Sequence, residues 1–134
     1  MVFYRHFRNQ KIYRFVADAV LEATEEAAVV YQAMYGGYGM WVRTRANFFE
    51  EALPGVPRFA PVTLPEMTAD ERVGCMSYLF MQDSPVLDTL REYMDSGLWL
   101  QDYEADERGE LGTEVNRAVL SQDGLYNLLQ AHEA

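Results

Sequence analysis

The sequence predicts an α+β protein, with a small antiparallel β barrel over residues 1–62 followed by an acidic helical module over residues 66–134. Three observations predict it. Of 18 aromatic residues, 12 lie between Phe3 and Phe59, in short runs rich in Val, Tyr, Phe and Ile that read as strands. Four of the five prolines, Pro54, Pro57, Pro61 and Pro65, fall within twelve residues. Each removes a backbone donor and restricts the residue before it, so this stretch reads as an edge strand and then a linker. Charge divides at the same place: residues 1–65 carry 7 Lys/Arg against 6 Asp/Glu, and residues 66–134 carry 4 against 15, so the net charge of −10 belongs to the second part.

Taken in order, the runs FYRHF and KIYRFVADAV are separated by Arg8-Asn9-Gln10, a turn sequence between two strands. Thr24-Glu25-Glu26 then leads into Ala27–Tyr35. Read with period two, one face of that strand carries Ala27, Val29, Tyr31, Ala33 and Tyr35, and the other carries Ala28, Val30, Gln32 and Met34. Both faces are apolar, which fits a strand at the centre of a small barrel. Gly36-Gly37-Tyr38-Gly39 lacks the Lys and Ser/Thr of a phosphate-cradling loop and lies between strands, so it reads as a hairpin turn whose glycines allow positive φ. Met40-Trp41-Val42-Arg43 is the next strand.

After Pro65 the period turns helical. Thr68-Ala69-Asp70-Glu71 is a capping box, followed by Val73, Met76, Leu79 and Phe80 on one stripe. A second helix is expected to start at Ser84 with Pro85 in its first turn, to bury Leu87, Leu90 and Met94, and to stop at Gly97. Ser121 is expected to cap a last helix through Leu125, Leu128 and Leu129. The acidic stretch from Asp102 to Glu114 is expected to be irregular.

Composition and spacing exclude several function classes. Met1–Gln10 is followed by no apolar run, so no secretory signal is expected, and no segment reaches the ~20 apolar residues that span a bilayer. With Cys75 the sole cysteine, no internal disulfide is possible, and a cytoplasmic location is the expectation. The acidic second part repels phosphate backbones, which argues against nucleic acid as a partner. His6, His132 and Cys75 lie in separate elements and offer no zinc site, and no cofactor is expected. Asp102, Glu104 and Asp106 alternate as at the start of a calcium loop, but Glu107 stands where a glycine is needed and Thr113 where a bidentate glutamate is needed. They read, with Glu107, as a solvated acidic surface that a basic partner could use. Cys75 beside Met76 on an apolar helix reads as a buried structural thiol.

Tyr4-Arg5-His6-Phe7, Lys11-Ile12-Tyr13, Val29–Gly36, Met40-Trp41-Val42-Arg43, Asn47-Phe48-Phe49-Glu50 and Pro57-Arg58-Phe59, in that order and spacing, resemble a small bacterial family, domain of unknown function 1653. The chain departs from its pattern at Leu21-Glu22-Ala23-Thr24 and at Thr44. The resemblance implies an SH3-like barrel and no established activity. Trp99–Glu107, Gly109, Leu111, Arg117–Asp123 and Leu125–Leu129 are similar to the C-terminal part of domain of unknown function 4298, a small helical family.

One constellation remains for recognition. Tyr4, Arg5, His6, Tyr13, Tyr31, Trp41 and Arg43 interleave polar groups with aromatic rings. On the first strand Tyr4 and His6 point one way and Arg5 the other, and Arg5 and Arg43 emerging beside Tyr13, Tyr31 or Trp41 would form a groove suited to a peptide, a carboxylate or a stacked base. The alternative is that Arg5 and Arg43 pair with acids of the second part. No nucleophile, base and orienting group can be paired, and no catalytic residue is assigned. The leading expectation is a non-enzymatic interaction module binding a peptide, protein or small anionic ligand. A second is an acidic immunity- or antitoxin-type protein neutralising a basic effector. A third is a small-molecule enzyme using His6 or a carboxylate such as Glu104. Tyr-rich strands with two apolar faces also suit a homo-oligomer interface.

Overall fold

A computed structural model describes residues 1–82, 86–121 and 123–132. They form two compact units, Met1–Thr63 and Leu64–Ala134. The first is a five-stranded antiparallel sheet and the second is helical, a mixed α+β protein.

The strands of the first unit are β1 (Phe3–His6), β2 (Ile12–Val20), β3 (Ala27–Ala33), β4 (Met40–Thr44) and β7 (Phe59–Val62), in the order β4-β3-β2-β1-β7. Strands β5 (Glu51–Leu53) and β6 (Val56–Pro57) make a separate two-stranded pair. A register shift between Phe15 and Ala17 marks a bulge in β2, which bends the longest strand. Pro61 sits opposite Tyr4 on β7. The Phe7 amide donates to the Arg58 carbonyl at 2.9 Å, so alternation along β7 turns the Pro61 nitrogen to the open side, where no donor is missed.

The turns follow their local chemistry. Gln10, Glu25, Gly36 and Tyr38 adopt positive φ, one or two in each hairpin connection. In the glycine-rich turn only Gly36, at φ 57°, uses the left-handed freedom expected of its glycines, and Tyr38 shares it at φ 55°. A short helix, α1 (Arg45–Phe49), interrupts what the aromatic pattern reads as strand. The Thr44 hydroxyl accepts from the Asn47 amide at 3.2 Å and supplies the start signal.

The core of this unit is Tyr4, Tyr13, Val29, Tyr31, Ala33, Phe48 and Phe59. Phe48 and Phe59 stack at 4.2 Å between centroids, and edge-to-face contacts join Phe59 to Tyr13 and Tyr31. Strand β3 is buried on both faces, through Val29, Tyr31 and Ala33 on one side and Ala28 and Gln32 on the other.

The second unit contains α2 (Ala69–Phe80), α3 (Leu87–Asp95), α4 (Leu98–Glu107) and α5 (Gly124–Ala131). The capping box forms: the Thr68 amide donates to Glu71 Oε1 at 2.9 Å and the Glu71 amide to Thr68 Oγ1 at 3.2 Å. Helix α2 buries Val73, Cys75, Met76 and Leu79, and Leu90, Tyr93, Val119 and Leu125 from the following elements are fully buried as well. Helix α3 gives way at Gly97, φ 86°, as expected of a left-handed helix stop. Its expected start at Ser84 and Pro85 lies outside the described residues.

Two expectations fail here. Asp102–Glu107 is not irregular but continues helix α4, because Leu98, Asp102 and Ala105 form one inward stripe of this helix. Ser121 does not cap α5. Asp123, at φ 65°, precedes the first turn with no side-chain capping bond, while the Ser121 carbonyl accepts from the Gly124 amide at 3.2 Å.

Candidate functional site

A cleft of about 420 Å³ opens on the first unit, lined by His6, Arg8, Asn9, Tyr13, Tyr31, Trp41, Arg43 and Arg58. Its floor is Phe59. That ring lies 4.7 Å from His6 and 5.2 Å from Tyr31, centroid to centroid, and the Arg43 guanidinium stands 5.5 Å above it. Alternation along β1 and β4 brings His6, Trp41 and Arg43 to this side.

Each cation is positioned by neighbours. Arg43 donates from Nε to the Tyr31 hydroxyl at 2.9 Å and from Nη1 to Asn47 Oδ1 at 2.6 Å. Arg58 donates to the Asn47 carbonyl at 3.2 Å and pairs with Glu50 at 2.8 Å. Asn47 therefore fixes two of the three guanidinium groups, and α1 holds Asn47. Arg8 and Arg58 both approach the Phe7 ring, at 5.6 and 5.8 Å from its centroid. The β1–β2 turn that carries Arg8 is tied down by Asn9, which accepts from the Lys11 amide at 2.9 Å and donates to the Tyr13 hydroxyl at 2.8 Å. The Tyr13 and Tyr35 hydroxyls share a 2.6 Å hydrogen bond, and burial with that bond pushes the Tyr35 phenol up to about 12.

The electrostatics are one-sided. The lining contains three arginines and no carboxylate, and among the described residues neither Arg8 nor Arg43 forms an ion pair. His6 is held below its ordinary pKa, first by burial and then by Arg43, Arg58 and Arg8. Its Nδ1 accepts the Arg8 amide at 3.1 Å, so the neutral ring carries its proton on Nε2. Trp41 is 57% exposed and forms an apolar wall.

Of the residues expected in a groove, His6, Tyr13, Tyr31, Trp41 and Arg43 converge here. Tyr4 does not line the cleft; it shares the face of His6 but packs edge-on against Phe48 at 5.2 Å within the core. Arg5 points away, because strand alternation puts it on the opposite face from His6, and it donates to the Gln10 carbonyl at 2.7 Å. Arg8, Asn9 and Arg58 were not foreseen. Arg8 and Asn9 read as turn residues and Arg58 as part of the proline-rich edge stretch, although a basic residue in a tight turn beside an aromatic strand is the available signal.

The expected acidic surface is also corrected. Asp102 is fully buried: Arg72 donates to both its oxygens, at 2.9 and 2.6 Å, and Tyr93 donates to Oδ2 at 2.9 Å. A bare buried carboxylate would be too costly, so the helices supply its partners. Asp106 is half-buried and pairs with Arg117 at 3.1 Å, while Glu104 and Glu107 are exposed. Cys75 is buried, and burial pushes its thiol well above the ordinary range.

Comparison with known families places two matches on the chain. Residues 2–61 match the family described as Protein of unknown function (DUF1653). Residues 78–134 match Domain of unknown function (DUF4298). Neither the curated proteins nor the solved structures yield a match. No helix among the described residues is long and apolar enough to cross a membrane.

Proposed function

We propose that the first unit is an SH3-like interaction module, acting in the cytoplasm, that captures an anionic group of a partner in the cleft over Phe59. The observation that carries this reading is the concentration of Arg8, Arg43 and Arg58 in a lining without a carboxylate. Pre-positioned guanidinium groups bind carboxylate or phosphate oxygens with little further ordering, and Trp41 offers apolar contact to whatever carries the anion. The strand order β4-β3-β2-β1-β7 fits the SH3-like barrel that the family resemblance implies.

The test is titration of the ¹⁵N-labelled protein with citrate, pyrophosphate and an acidic peptide. Amide shifts should cluster at Arg8, Trp41, Arg43 and Arg58 for at least one probe. Arg8→Ala and Arg43→Ala should each weaken binding about tenfold, the loss of one charge-assisted pair. Asn47→Ala should weaken it too, by removing the Oδ1 that holds Arg43 while leaving the charge in place; Arg58 keeps the main-chain carbonyl of residue 47. Arg8 lies on an exposed turn, so its variant keeps the fold. The reading falls if no anionic probe saturates, or if binding is indifferent to both arginine variants.

A further inference from the structure

We propose that the cleft's ligand is an extended acidic segment of a partner protein, which adds to the sheet as a sixth strand along β4. This rests on the cleft as an anion site and goes further by naming the partner's conformation and sequence pattern.

The two edges of the sheet differ. Edge β7 carries Pro61, whose nitrogen faces outward and offers no donor to an incoming strand. Edge β4 reads Met-Trp-Val-Arg-Thr, without proline, lysine or an acid, and Met40, Trp41 and Val42 are 54%, 57% and 53% exposed. Natural edge strands are guarded by charge, proline or a bulge, and β4 has none of these over its first three residues.

The ladder shows which backbone groups are open. The Ala33 amide donates to the Gly39 carbonyl at 2.9 Å, and the register continues through Tyr31 opposite Trp41 and Val29 opposite Arg43. Hydrogen-bonded pairs alternate in an antiparallel ladder. The peptide groups of Trp41 and Arg43 therefore face β3, and those of Met40 and Val42 face outward.

Side-chain alternation then sets the partner's pattern. Trp41 and Arg43 lie on the cleft side of β4, so Met40 and Val42 lie on the other. A strand laid about 4.8 Å beyond β4 projects every second side chain beside Trp41 and Arg43. Acids at those positions meet the three guanidinium groups, and apolar residues between them cover Met40 and Val42. The segment that fits is acidic on one face and apolar on the other. A second copy fits less well: pairing β4 with its own counterpart would bring a second Trp41 and Arg43 to that edge and no acid from β4.

The probe is a blocked octapeptide of alternating valine and glutamate, compared with its valine–lysine counterpart and with a version N-methylated at alternate amides. Binding is read by fluorescence anisotropy of a labelled peptide and by amide hydrogen exchange at Met40 and Val42, with citrate as the small-anion control. The glutamate peptide should bind and slow exchange at both amides. The lysine and N-methylated peptides should each bind about tenfold or more weakly. Val42→Pro removes an outward donor without touching the ladder to β3, and should weaken the peptide about tenfold while citrate binding persists. Peptide affinity unchanged by both N-methylation and Val42→Pro overturns strand addition and leaves the anion site standing. Failure of citrate and peptide alike overturns both readings. A dimer in sedimentation that Val42→Pro dissociates assigns the edge to a second copy and overturns the proposal.

Discussion

At the scale of single residues, His6 reports on the cleft. Burial and the three arginines depress its pKa, so the folded protein resists protonating it. The resulting stabilisation is fully present above the unfolded value near 6.5 and is lost as pH falls through the lowered folded pKa. Titration of the His6 ring protons by NMR should give a midpoint below 6.5. A bound anion offsets the arginine field, so the midpoint should rise when ligand saturates the site. A midpoint at or above 6.5 in the free protein, or one unmoved by bound ligand, would refute this. His6, Trp41 and Arg43 were legible in the sequence because aromatic and basic types alternated on recognisable strands. Arg8 and Arg58 were not, since a turn residue and a residue between prolines reach the same cleft only through the pairing of β1 with β2 and β7.

At the scale of elements, one tie between helices outweighs surface charge. Arg72 of α2 meets Asp102 of α4 in a two-pronged pair, and Arg72 also donates to the Leu64 and Met67 carbonyls at 3.0 and 2.7 Å. Removing one partner strands the other charge in a dry interior, so Asp102→Asn or Arg72→Met should lower unfolding free energy by about 3–5 kcal/mol. The double replacement Arg72→Met with Asp102→Leu leaves no unpaired charge, although the Tyr93 hydroxyl and the Leu64 and Met67 carbonyls each lose a partner, and should recover part of the loss. Urea unfolding of all three variants measures it, and equal destabilisation by the double and single variants would count against the account. The sequence showed Asp102 among acids and suggested a solvated loop. Only its position four residues after Leu98 and three before Ala105 hinted that it faces inward. Helix α1 was hidden for a related reason: Phe48 and Phe49 suit a strand as well as a helix, and the Thr44 cap decides it.

At the scale of the whole molecule, charge is divided between the units. The first is near balance, and the second carries the excess of acid over base. With Asp102 neutralised internally and Asp106 paired, that surplus offers a basic partner fewer free acids than the sequence suggested. Its general consequence is colloidal. Net charge vanishes near the isoelectric point of about 4.5, so light scattering should rise steeply as pH falls from 7 towards that value and fall again once the protein is positive. Scattering that stays flat across this range would mean that net charge does not govern solubility here.

The sequence by itself determined the α+β class, the succession of strands followed by helices, the capping box, the glycine stop at Gly97 and the buried character of Cys75. All of these are written in local periodicity and in residues whose backbone or capping chemistry acts within a few positions. Only the tertiary structure decided that Arg8 and Arg58 enter the cleft, that Asp102 is buried against Arg72, and that β4 is the unguarded edge. Those outcomes depend on which distant segments pair, and a charged side chain reads the same in sequence whether its partner is water or an arginine thirty residues away.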